Sequence, residues 1–284
     1  MKAALVARAA SAVSSLGREL DLHVSEAVVI QNSNKLALRL LPCDVFARTA
    51  QVGQEVAAFE VLVAEALAAV SAPVVSLDRR VEPGVYERDG FAVTFWTHYA
   101  STSAMAAPPM YARAMHHLHA AMRSIEVDAP HFTERVAAAE DLLTSRDETP
   151  ELRDADRRLL LDTIQDARQA VRGRRRSEQL LHGEPHPGNL LNTPDGLLFI
   201  DLETCCRGPI EFDLAHAPEE VTRLYPDADL VLVQECRRLV IAMVAAWRWD
   251  VHDEFPQGRR HGLNLLDVLG QGPPWPALGP LATD

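Results

Sequence analysis

Residues 180–215 read LLHGEPHPGNLLNTPDGLLFIDLETCCRGPIEFDLA, and this stretch decides the fold. A carboxylate at Glu184, an amide at Asn189 and a second carboxylate at Asp201 fall within eighteen residues. Pro185, Pro187 and Gly188 cannot continue a helix or a strand, because proline lacks the backbone donor and glycine admits unusual angles. Glu184 and Asn189 are therefore expected on a loop. Residues 190–192 and 197–200, on either side of the turn Thr193-Pro194-Asp195-Gly196, are predicted as the strands of a short hairpin. Asp201 is expected at the end of the second strand, beside the loop.

That layout points to phosphoryl transfer. Moving the terminal phosphoryl group of a nucleotide needs little covalent help, but it needs magnesium held against the phosphates and an acceptor hydroxyl held in line. Magnesium is a hard cation that takes oxygen ligands, of which the protein supplies one or two. Asn189 and Asp201 offer two, and Glu184 is placed to accept a hydrogen bond from the acceptor hydroxyl.

The run His182-Gly183-Glu184-Pro185-His186-Pro187-Gly188-Asn189, followed by Phe199-Ile200-Asp201 and Asp213-Leu214-Ala215, resembles the catalytic loop and metal-binding segment of the aminoglycoside phosphotransferase family. The family pattern is His-Gly-Asp, four residues, Asn, an Ile-Asp pair about a dozen residues later and a downstream Asp-Leu-Ala. All of these spacings are kept. The resemblance implies a bilobal, protein-kinase-like α+β fold. Residues 1–96 would form a small nucleotide-binding lobe with an antiparallel sheet and one helix. Residues 97–284 would form a larger, mainly helical lobe for catalysis and substrate. It further implies ATP or GTP and Mg2+ as cofactors, and a small hydroxyl-bearing acceptor such as an aminoglycoside or another antibiotic. Glu184, Asn189 and Asp201 take the catalytic roles, with Asn189 and Asp201 on the metal. His182 is expected to orient the loop through hydrogen bonds, Asp213 to cap or brace it, and His186 to support the site or pack against it.

Two residues depart from the family pattern. The catalytic aspartate is Glu184 here, carried on one more methylene; a loose transition state depends on positioning more than on base strength, so glutamate can serve. The lysine of the third strand is replaced by Arg48, whose fork still suits phosphate. Lys35 is the alternative, although its alternation with Leu36 places it on a solvated face. Glu60 is the expected helix partner of the phosphate-binding cation, with Glu55 the alternative. Ser33 lies in the polar turn that the resemblance places over the nucleotide phosphates. Thr97 and Tyr99 fall where the chain would pass between lobes and offer backbone groups to a purine. A nucleotide-binding pseudokinase with a regulatory role is the alternative that Glu184 and Arg48 leave open. A protein kinase is disfavoured, since no activation segment separates Asp201 from Asp213.

The rest of the 284-residue chain fits that frame. Its composition, 48% hydrophobic and 24% charged, is that of a soluble globular protein. A net charge of -12, with Lys2 and Lys35 the only lysines, argues against nucleic acid and is compatible with a cationic small substrate. Glu203, Glu211, Glu219, Glu220, Asp250, Asp253 and Glu254 are the carboxylates that the resemblance offers to such a substrate. Cys43, Cys205, Cys206 and Cys236 lack metal or disulfide spacing and suggest free thiols in the cytoplasm. No apolar run has the length of a membrane span, and the first twenty residues read as an amphipathic helix rather than a leader. Strands are expected within 26–49, 81–86 and 91–96. Helices are expected at 55–70, 109–122, 133–143, 151–171 and 229–249. His116, His117 and His119 are read as part of a half-buried helix rather than a metal site, and Arg172–Arg176 as a solvated helix end. The proline-rich tail is expected to be irregular, anchored by Trp275. The sequence does not specify the oligomeric state.

Overall fold

The computed structural model describes residues 1–278 apart from 34, 54–55, 103 and 175–176. Glu55, Arg175 and Arg176 of the sequence reading thus lie outside the described residues. In chain order the elements are α1 (Ala3–Glu19), β1 (Val24–Asn32), β2 (Leu36–Pro42), β3 (Val45–Gln51), α2 (Val56–Ala69), β4 (Tyr86–Arg88), β5 (Phe91–Thr97), α3 (Pro108–Met122), α4 (Phe132–Thr144), α5 (Asp154–Gly173), β6 (Glu178–Leu181), β7 (Leu190–Thr193), β8 (Gly196–Phe199), β9 (Cys206–Pro209), α6 (Ile210–Leu214), α7 (Glu219–Leu224), α8 (Leu230–Trp247) and α9 (Gly258–Gln271). They form two compact units. The first holds Met1–Ala104, Ser124–Val127 and Leu191–Glu203; the second holds Met105–Arg123, Asp128–Leu190 and the chain from Thr204 onward.

The first unit is built on an antiparallel five-stranded sheet in the order β1-β2-β3-β5-β4. Leu36, Leu38 and Leu40 alternate along β2 and meet Ala9, Ala12, Val13 and Leu16 of α1, whose spacing is that of one helical face. Asp89 and Gly90 both take positive φ, 53° and 82°, as a two-residue hairpin turn between β4 and β5 requires. The strand expected at 81–86 is displaced to Tyr86–Arg88, so that Glu87 and Arg88 lie in the strand and the turn narrows to Asp89-Gly90. Pro83 has no N–H for a ladder and Gly84 no side chain to pack, so the ladder starts only beyond them. The β7–β8 hairpin joins this unit through backbone bonds: Phe199 N–H donates to Pro73 O at 2.8 Å, Val75 N–H to Phe199 O at 3.1 Å and Thr102 N–H to Asn192 O at 2.9 Å. The chain segment leading to Asp201 is thereby tied to the sheet-bearing unit.

The second unit has a helical core. Leu160, Ile164, Ala167 and Val171 of α5 belong to one apolar cluster with Leu232, Cys236, Leu239 and Met243 of α8 and Leu265 and Leu269 of α9. The start of α8 is fixed by a side-chain cap: Asp229 accepts from Val231 N–H and Leu232 N–H, both at 3.1 Å. Trp275 anchors the tail, its N–H donating to Gln234 Oε1 at 2.6 Å. Arg174, at the end of α5, pairs with Asp229 at 2.8 Å. No disulfide joins the four cysteines, and no described helix is long and apolar enough to cross a membrane.

Candidate active site

In the first unit, β3 supplies Arg48, α2 supplies Glu60 and the end of the β7–β8 hairpin supplies Asp201. These three side chains meet. Arg48 Nη1 donates to Glu60 Oε1, and Nη2 donates to Asp201 Oδ1 at 2.6 Å. Glu60 is buried, with only 2% of its side chain exposed. Burial works against the Arg48 charge, but the Glu60 and Asp201 carboxylates outweigh it and hold the guanidinium protonated. Burial pushes the Glu60 carboxyl up against the opposing pull of Arg48 and Lys35.

Lys35 does not occupy the solvated face expected of it. Its ammonium donates to Glu203 Oε2 and reaches Glu60 Oε2 at 3.4 Å. The residue precedes β2, so strand alternation does not govern it, and two carboxylates outbid hydration. Lys35 and Arg48 therefore share the Glu60 carboxylate and line a small cavity with Thr49 and Thr94. Asp201 itself sits at φ 67°, a left-handed conformation that costs a non-glycine residue on the order of 1 kcal/mol. The strain accompanies the sharp exit from β8 into the 3-10 turn Leu202–Thr204.

The loop of the second unit is organised around a fully buried carboxylate. Asp213 accepts His182 N–H at 2.9 Å through Oδ2 and Gly183 N–H at 2.8 Å through Oδ1. His119 Nε2 lies 3.0 Å from Oδ2, and its Nδ1 lies 2.8 Å from the Tyr225 hydroxyl. Burial alone would raise the Asp213 carboxyl; the His119 hydrogen bond, with His182, more than offsets it and holds it below the usual range. From this base the loop runs through Gly183, at φ 90°, to Glu184, whose N–H donates to His182 Nδ1 at 3.4 Å. His186 Nδ1 accepts Gly188 N–H at 3.0 Å and opens the 3-10 turn Pro187–Asn189. Asn189 Nδ2 donates to Glu184 O at 2.9 Å, which orients the amide and leaves its oxygen available for a cation.

Glu184 Oε1 accepts a hydrogen bond from Arg135 of α4, a residue the sequence reading did not single out. Arg135 lies 49 residues upstream in a helix that carries no motif, so only the folded chain reveals the pairing. Burial pushes the Glu184 carboxyl up, but Arg135, aided by His216, outweighs it and holds the group below its ordinary value.

His216 sits in the same unit, 4% exposed, with neither ring nitrogen hydrogen-bonded among the described residues. Burial depresses its pKa to about 4, against the opposing pull of Glu184 and Asp213. A base whose folded pKa is depressed contributes stability above its unfolded value, 6.5, and that contribution is lost as pH falls toward 4. The loss amounts to about 3 kcal/mol. In urea titrations between pH 7 and 4, His216→Phe is expected to lose less stability than the parent by roughly this amount. Parallel pH curves would contradict it.

The remaining expected residues stand apart from these clusters or are already engaged. Ser33 is exposed and its N–H donates to Lys35 O at 3.1 Å; Thr97 N–H bonds Ser76 O at 2.9 Å, and Tyr99 is half-buried. Glu203 is paired with Lys35, Glu219 with Arg237 and Arg223, and Asp253 with Arg248. Glu211 is 1% exposed and accepts Asp229 N–H. Asp250 accepts His252 N–H at 2.8 Å. Glu220 and Glu254 are exposed, with no ion-pair partner among the described residues.

The model of the Phosphotransferase enzyme family matches residues 26–254. No curated protein matches the chain. Among solved structures, the GDP and kanamycin complex of APH(2")-IIia is similar with a TM-score of 0.71 at 12% identity, over 91% of this chain and 97% of that one. Amicoumacin kinase hAmiN, in complex with AMP-PNP, Ca2+ and Ami, gives 0.68 at 10% identity, over 90% and 92%. A choline/ethanolamine kinase family protein from Mesorhizobium loti gives 0.64 at 16% identity, over 92% and 93%. At these identities the likeness shows the fold, that of the protein-kinase-like phosphotransferases.

Proposed function

This chain belongs to the phosphotransferase enzyme family, and from that premise we propose that it is a small-molecule kinase, moving the terminal phosphoryl group of ATP or GTP to a hydroxyl of a small acceptor. An aminoglycoside, another hydroxyl-bearing antibiotic or a small amino alcohol is the acceptor class. The observation that carries this reading is the Arg48–Glu60–Asp201 cluster: a cation fixed by a buried carboxylate, beside a second carboxylate at a strand end. Phosphoryl transfer requires those parts.

Arg48 and Lys35 hold the nucleotide phosphates, with Ser33 in the turn over them and the backbone at Thr97 and Tyr99 toward the base. The donor chemistry fits magnesium. Asp201 keeps a second oxygen beside the one bound to Arg48, and Asn189 has its amide oxygen available; both are hard oxygen donors. Magnesium, when bound, neutralises charge on the transferring group. Glu184, held ionised, accepts the hydrogen bond of the acceptor hydroxyl and orients it. His182 and Asp213 keep that loop in place. Exposed Glu220 and Glu254 remain available to a cationic acceptor. Cysteines outside any disulfide suit a reducing compartment, the cytoplasm.

A second reading, a nucleotide-binding module without transfer, is favoured by one observation: both reactive carboxylates are already ion-paired, Glu184 with Arg135 and Asp201 with Arg48. Incubation with ATP or GTP, magnesium and a panel of kanamycin, amicoumacin, choline and ethanolamine separates the two. The expected result is a product with one added phosphoryl group. Thermal stabilisation by nucleotide with no product on any acceptor would favour the second reading.

A further inference from the structure

Glutamate in place of aspartate adds a rotatable bond between backbone and carboxylate, so a loop that positions an aspartate leaves a glutamate free to swing. Here that freedom is removed from outside the motif. Arg135 Nη2 donates to Glu184 Oε1, and Arg135 is the hydrogen-bond partner of that carboxylate among the described residues. Arg135 is itself fixed. A capping box, in which His131 accepts Thr133 N–H and Glu134 accepts His131 N–H, sets the start of α4 just ahead of it. The Trp247 indole of α8 lies under the guanidinium, with Arg135 Cζ 5.2 Å from the ring centroid. Only 23% of the Arg135 side chain and 25% of the Glu184 side chain remain exposed. His216, buried in the same unit, makes no hydrogen bond to Glu184 among the described residues.

We propose that Arg135 is a positioning residue for phosphoryl transfer: it pins Oε1 of Glu184 so that Oε2 meets the acceptor hydroxyl, and the pairing allows glutamate to stand where the resembled family carries aspartate. The inference rests on the role proposed for Glu184. It has a counterintuitive consequence. Glu184→Asp, which restores the family residue, shortens the side chain away from Arg135 and lowers turnover.

The test uses the full chain and phosphate release from ATP or GTP with magnesium, in which water is the acceptor. Arg135→Gln is expected to lower kcat about tenfold with the KM for nucleotide unchanged. It also moves the acid limb of the pH profile upward, because loss of the guanidinium raises the carboxyl that must be ionised. Arg135→Met, which keeps the apolar stem against Trp247, gives the same result and guards against misfolding. Arg135→Lys retains the acid limb and recovers part of kcat. In a Glu184→Asp background, Arg135→Gln costs little. An acid limb and kcat left at parent values by Arg135→Gln and Arg135→Met would overturn the inference, as would the same tenfold loss in both backgrounds. A parent without turnover, or a Glu184→Gln variant as active as the parent, sinks the role of Glu184 itself and is thereby distinguishable.

Discussion

Gly183→Ala is expected to destabilise the second unit by on the order of 4 kcal/mol or more, enough to leave little folded protein. Gly183 holds φ 90°, where an L side chain is strained, and its N–H is committed to Asp213 Oδ1 at 2.8 Å. An added Cβ would overlap the Thr204 carbonyl oxygen and lie 2.8 Å from the carbonyl carbon. Thr204 cannot simply recede, since its hydroxyl donates to His182 O at 3.1 Å. No rotamer relieves a clash between Cβ and backbone, so the loop carrying Glu184 or the segment carrying Thr204 must shift. Gly196→Ala is the control. It has positive φ, 130°, but open space around it, and is expected to cost about 1 kcal/mol. Urea unfolding of both variants measures the difference; equal costs would contradict a steric origin.

The loop motif and its consequences were legible because chain-breaking residues and turn chemistry act locally. Pro185, Pro187 and Gly188 force a loop whatever surrounds them, and Asp89-Gly90 forces a tight turn. The α1 face at Ala9, Ala12, Val13 and Leu16 follows from spacing alone. What could not be read are the interactions between residues distant in the chain. Arg135 carries no local signal, and its partner is known only once α4 is folded against the loop. Strand alternation points Lys35 to solvent, but the residue precedes β2 and its flexible four-carbon stem is drawn to Glu60 and Glu203. His119, interpreted as one of three histidines on a half-buried helix, is fully buried between Asp213 and Tyr225. The acidic candidates read as one group have separate fates: Glu219 and Asp253 are ion-paired with arginines, and of those arginines only Arg223, four residues from Glu219, follows a helical spacing rule.

Asp201→Asn is expected to cut phosphoryl transfer by on the order of a thousandfold while the fold persists. Asparagine tolerates the left-handed φ of 67° and keeps the shape of the side chain, so the turn out of β8 survives. Arg48 retains Glu60 as its partner, and Asp201 is partly exposed, 29% of its side chain, so unfolding stability should stay within about 1 kcal/mol of the parent. What is lost is negative charge: an amide is a weaker ligand than a carboxylate for a hard divalent cation. Single-turnover rates at saturating magnesium, set beside urea midpoints, separate the catalytic loss from any structural one. A variant that retains parental rates would remove Asp201 from the metal site, and one that unfolds would assign it to the scaffold.

A chain with glutamate at position 184 is expected to transfer phosphoryl groups rather than merely bind nucleotide. The most direct measurement is transfer of a labelled terminal phosphoryl group from ATP or GTP to a hydroxylated acceptor, run in parallel on the parent, Glu184→Gln and Asp201→Asn. Labelled acceptor is expected from the parent alone, with nucleotide still bound by Glu184→Gln. Label appearing equally on the acceptor with Glu184→Gln, or remaining on the nucleotide in all three, would contradict it.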